Sequence, residues 1–109
     1  MADSMNDRRK GFEEKFRMDQ ELQFKVTNRR NKLLGLWLAD QFGLTGADRD
    51  TYAGSVVAAD FQKPGDDDVI AKVMADVGSK GIRVTEAEVR KKLGELAETA
   101  KTQIMEDMK

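Results

Sequence analysis

The sequence predicts an all-α chain folded as a mainly antiparallel four-helix bundle. Apolar residues recur at steps of three, four and seven through four separate stretches, and none shows the sustained two-residue alternation of a half-buried strand. The connections between the stretches span only a few residues, which favours antiparallel neighbours. With 109 residues, 36% charged and 39% hydrophobic, and a single proline, one domain with a modest core is expected, not a disordered chain.

The first helix is expected from Asp19, as cap, to Gly43, as stop. Leu22, Val26, Leu33, Trp37 and Leu44 fall on one face. Leu34, Leu36, Leu38 and Phe42 extend the apolar surface most of the way round, as in a helix contacted on several sides. Trp37 is expected in the core. Thr45 and Asp48 form an approximate capping box for a second helix, whose apolar side is Tyr52, Val56 and Ala59 with Ala53, Val57 and Phe61 beside them. The KPGD at 63–66 ends it. Asp66 is expected to cap the third helix, where Val69, Ile70, Val73, Met74 and Val77 repeat until Gly78. The fourth has the clearest start: Thr85 and Glu88 form a capping box, and Val84 and Val89 sit where a hydrophobic staple closes. Its stripe is Val89, Leu93, Leu96, Ala97, Ala100 and Ile104.

This reading divides the chain into a bundle, residues 19–109, and a mobile N-terminal segment, residues 1–18. Met5, Phe12 and Phe16 share a narrow face there, surrounded by charge and interrupted by Gly11. Such a segment is too short and too weakly amphipathic to hold a helix alone. Against a partner it can become one.

The chemical inventory argues against an enzyme. Histidine and cysteine are both absent, which removes the commonest general base, the commonest activated thiol and the usual zinc ligands. Asp66, Asp67 and Asp68 lack the alternating ligands and distal glutamate of a calcium loop, and acidic residues in a first helical turn are explained by the macrodipole; no metal site is expected. GSKG at 78–81 follows a helix, whereas a phosphate loop joins a strand to a helix. A DNA-reading helix opening with Glu86 and Glu88 would meet phosphates with the wrong charge. The net charge is −1, divided as +3 over residues 1–32 and −4 over 33–109, far from a nucleic-acid binder's basic stripe. The apolar run at 33–38 is too short to span a bilayer. The opening residues lack the apolar core of a signal peptide, so a cytoplasmic protein, monomeric when free, is expected.

One cluster stands out. Arg29, Arg30 and Lys32 run directly into LLGLWL, and on a helical wheel Arg30 falls between Val26, Leu33, Leu34 and Trp37. A guanidinium there needs an anionic partner or must snorkel to water. The partner is either an acidic side chain of another helix or a bound phosphate or carboxylate, which the planar fork of arginine suits.

Residues 11–40, GFEEKFRMDQELQFKVTNRRNKLLGLWLAD, together with YAGSVVAADFQKPGDDDV at 52–69, resemble the zeta-subunit family of alphaproteobacterial F-type ATP synthases. The most specific block is RRNKLLGLW at 29–37. The resemblance implies a four-helix bundle that inhibits ATP hydrolysis, its N-terminal segment entering a catalytic interface of the enzyme's head and jamming rotation. Met5, Arg8, Arg9, Phe12 and Phe16 are then the partner-binding residues. It also implies ADP or ATP as a regulatory ligand, with Arg29, Arg30 and Lys32 as candidate contacts and no required cofactor. The expected location is the inner face of the membrane when bound to the synthase. A nucleotide-sensing bundle and a non-enzymatic interaction module are the alternatives, and an ATP-hydrolysis assay separates them from the inhibitor.

Overall fold

The computed structural model describes residues 2–62 and 65–107, with side chains described for 20–60 and 65–107. Four helices follow one another: α1 (Ala2–Gln41), α2 (Gly46–Gln62), α3 (Asp66–Lys80) and α4 (Glu86–Asp107). Cross-helix contacts give the topology. Asn31 meets Asp60 and Asp40 meets Arg49, so α2 runs antiparallel to α1. Arg29 meets Gln103 and Asp107 while Lys92 lies over Trp37, so α4 also runs antiparallel to α1. The all-α bundle expected from the pattern is the fold observed.

The core is built from Leu34 and Leu38 of α1, Val56 of α2, Val69, Ile70, Val73 and Val77 of α3, and Val84, Val89 and Leu93 towards α4. Trp37, Phe42, Tyr52, Met74, Ile82 and Leu96 pack around it, half-buried. The stripe of α1 is therefore rotated from the one expected. Asn31, Leu34, Leu38 and Ala39 are buried, whereas Leu22, Val26, Leu33 and Trp37 are only half-buried. Gly35 explains the rotation: an added Cβ would lie 2.6 Å from the Ala53 Cα and 3.2 Å from Val56 Cγ2. The α1 and α2 backbones cross there, so the face carrying glycine turns inward.

Helix ends follow backbone chemistry more than the expected side-chain caps. α1 does not begin at Asp19 but is continuous from Ala2. The packed half supplies the nucleus, and extension through good formers such as Glu13, Glu14, Lys15, Arg17 and Met18 is then far easier than starting a helix anew. Thr45 contributes its carbonyl, accepting from Arg49 N at 3.5 Å, and its hydroxyl makes no capping bond. Asp66 is the first residue of α3, not its cap; Gly65 holds that position at φ 140° and gives no side-chain bond. α3 also outlasts Gly78, ending at Lys80 with Gly81 in the left-handed region (φ 67°), whose N–H donates to Gly78 O. At the start of α4 the hydroxyl half of the expected capping box is present: Glu88 N donates to Thr85 Oγ1 at 3.1 Å, and Val84 and Val89 are both buried.

The corner of α1, α2 and α3 is pinned by Tyr52. Its ring meets Phe42 edge-on at 5.1 Å, and its hydroxyl donates to Asp76 Oδ2 at 2.9 Å, an oxygen that also accepts from Lys72 Nζ at 2.8 Å. Burial, and then the bond to the Asp76 carboxylate, raises the phenol pKa above its ordinary value of 10.0. The folded chain holds this proton where the unfolded chain releases it. The contribution is thus complete below about pH 10 and is lost as pH climbs above it. Tyr52→Phe is expected to cost about 1 kcal/mol at neutral pH and to flatten that alkaline decline, read by urea unfolding on both sides of pH 10.

Candidate functional site

Lys25, Asn28, Arg29 and Lys32 stand three, one and three residues apart, which stacks them on one helical face over two turns. Val57 of α2 and Ile104 of α4 supply apolar ground beside them. Together these six line a cleft of about 300 Å³, the lower end of the range that holds small organic ligands. Three cations line it beside two apolar side chains, an arrangement suited to a multiply charged anion carrying a less polar part.

The structure divides the predicted cationic trio. Arg29 and Lys32 share the cleft, joined by Lys25 and Asn28. Arg29 is engaged by the last turn of α4: Nη1 donates to Gln103 Oε1 at 3.0 Å and Nη2 to Asp107 Oδ2 at 3.3 Å. Its side chain is 35% exposed and that of Asp107 is 63% exposed, so the pair is a weak surface contact.

Arg30 has an internal task. Its Nη2 donates to Asp66 Oδ1 at 2.9 Å, and Nε and Nη2 both reach Asn31 Oδ1, at 3.2 and 3.0 Å. Asn31 is wholly buried, and its Nδ2 donates to Asp60 Oδ2 at 3.2 Å, while Asp60 Oδ1 accepts from Gly65 N at 3.3 Å. This chain ties α1 to both sides of the α2–α3 turn. Asp66, an acidic side chain of another helix, is the partner that Arg30 has in the fold. Asp66 is occupied by it and Asp67 by Arg90 at 3.2 Å. No metal-holding group of acidic residues occurs among the described residues.

Arg30→Gln is expected to destabilise the chain by about 1 to 3 kcal/mol, because the Asn31 carboxamide oxygen loses both its donors out of contact with water. Anion binding in the cleft should stay within about two-fold of wild type. Denaturant melts beside a nucleotide titration check both; a folded variant that no longer binds would return Arg30 to the ligand set.

Trp37 packs against the core with Lys92 Nζ 5.5 Å from its ring centre. Met5, Arg8, Arg9, Phe12 and Phe16 lie where side chains are outside the described residues. Sequence reasoning passed over Lys25 and Asn28, although their spacing from Arg29 and Lys32 was a usable signal. It also passed over Asn31, Asp60, Gln103 and Asp107, whose roles depend on which helices meet.

Comparison with known proteins agrees with the fold and the resemblance. No curated protein matches the chain. A structure solved in solution by NMR matches at 45% identity with a TM-score of 0.70, covering 79% of this chain and 98% of its own. A model of the ATPase inhibitor subunit zeta family matches residues 1–103, nearly the whole sequence and both stretches that carry the resemblance. The chain belongs to the ATPase inhibitor subunit zeta family.

Proposed function

We propose that the chain regulates an F-type ATP synthase by inserting residues 1–18 into a catalytic interface of the enzyme's head, with the bundle, residues 19–109, as anchor. The family supports the target, since its name is that of an ATPase inhibitor subunit. The observation that carries the mechanism is the length of α1. At 40 residues it reaches roughly 60 Å, while α4, of 22 residues, meets Arg29 with its last turn. The part of α1 that precedes Lys25, the first residue to share the cleft with Ile104 of α4, continues past its antiparallel partner as an arm, and helix in a groove is an established way for proteins to recognise one another. No described helix is long and apolar enough to cross a membrane; the chain reaches the inner face of the membrane through the synthase and is otherwise cytoplasmic.

The cleft is the second element of the proposal. Lys25, Arg29 and Lys32 supply the charge to hold the phosphates of ADP or ATP, with Val57 and Ile104 as the apolar surface. Bound nucleotide is a regulatory ligand, and the chain itself performs no chemistry.

The decisive assay adds the purified chain to the cognate synthase head and follows ATP hydrolysis. Titratable inhibition is expected. Undiminished hydrolysis at saturating chain would overturn the proposal, and amide shifts at residues 25–32 on adding ADP test the cleft separately.

A further inference from the structure

We propose that the last turn of α4 gates the cationic cleft, Asp107 holding Arg29 in the free protein and yielding it to a polyphosphate anion. The inference rests on the reading of the cleft as an anion site. The last turn of α4 has no basic residue of its own, yet it ends in Glu106 and Asp107, carboxylates at the negative end of a helix dipole where a cation is favoured. Arg29 of α1 supplies that cation from outside, through Asp107 and Gln103.

The same turn lends Ile104 to the cleft wall, and Arg29 lines the cleft beside Lys25 and Lys32. One guanidinium therefore serves two claimants. A multiply charged phosphate between the three cations offers it more negative charge than one exposed carboxylate, and the pair it breaks is a surface contact of small energy. Occupation of the cleft then releases the end of α4, and a docked end of α4 opposes occupation. By linkage the two effects are equal in size.

The test is calorimetric titration of the full chain with inorganic pyrophosphate and with ADP, for wild type, Asp107→Asn and Glu106→Gln, each checked by thermal melt. Glu106→Gln removes a neighbouring charge that makes no bond to Arg29, so it measures the general field alone. Asp107→Asn is expected to bind about two- to five-fold tighter than wild type, exceeding any gain in Glu106→Gln. Amides 103–107 of the wild type should exchange faster at saturation. Equal affinity of Asp107→Asn and wild type, or equal gains in both variants, overturns the gate while leaving the anion site intact. If neither wild type nor Asp107→Asn binds either anion, the cleft reading itself fails.

Discussion

Deleting residues 1–18 is expected to abolish inhibition of ATP hydrolysis while leaving the bundle folded. Every buried residue among those described lies at Asn31 or beyond, so the deletion removes none of that core, and the nucleus that holds α1 in its packed half stays in place. Phe12 and Phe16, four residues apart, and Met5 on the same face have the spacing of helical anchors for a groove. Phe12→Ala and Phe16→Ala are each expected to weaken inhibition about 10- to 30-fold, as buried aromatic anchors do. Lys10→Ala should cost less than about three-fold, as a rim charge does. Arg8 and Arg9 flank the apolar face and should fall between. Melting curves must accompany each variant, because a destabilised bundle would mimic a lost contact. A truncated chain that stays folded and inhibits at full strength would make the bundle the inhibitor.

Periodicity made the architecture legible: four apolar stripes and three short connections leave few ways to bury α1 except between antiparallel neighbours. The start of the fourth helix is the most legible because Thr85, Glu88 and the flanking valines are a local device contained within six residues. The end of α2, directly before the KPGD at 63–66, is where the sequence puts it, whereas the start of α2 and both ends of α3 are less legible. At Gly65 and Gly81 backbone conformation sets the boundary, and side chains such as Thr45 and Asp66 that looked like caps are placed otherwise. Asp66 is drawn off by Arg30, 36 positions earlier, a distance at which sequence pattern carries no information.

The cleft was half legible for the same reason. Cations at 29, 30 and 32 suggested one site, but a helix turns about 100° per residue, so adjacent arginines point to different neighbours. Arg29 went to α4 and the cleft, Arg30 to the α2–α3 turn. Which went where depended on the rotation of α1 about its axis, and that rotation was hidden in one residue that looked like a mere interruption of the apolar run.

Replacing that residue, Gly35, by alanine is expected to destabilise the fold by roughly 2 kcal/mol. Helix propensity alone predicts the reverse, since alanine is favoured over glycine by about 1 kcal/mol within a helix. The contact decides the sign. The added methyl would come within 2.6 Å of the Ala53 Cα, a backbone atom that no rotamer change can move, so α1 and α2 must separate along their shared face. Overpacking of this kind costs about 1 to 3 kcal/mol and sometimes more, and it acts here on the contact that also places Asn31 against Asp60. Gly94 is the control. It lies in α4, exposed, and a Cβ there meets nothing within 4 Å, so Gly94→Ala should follow propensity and stabilise by about 0.5 to 1 kcal/mol. Urea unfolding of the two variants beside the wild type reads both signs at once. Stabilisation by Gly35→Ala would mean that the helices do not cross at this position, and with it the inward rotation of Asn31 and the separation of Arg29 from Arg30 would lose their cause.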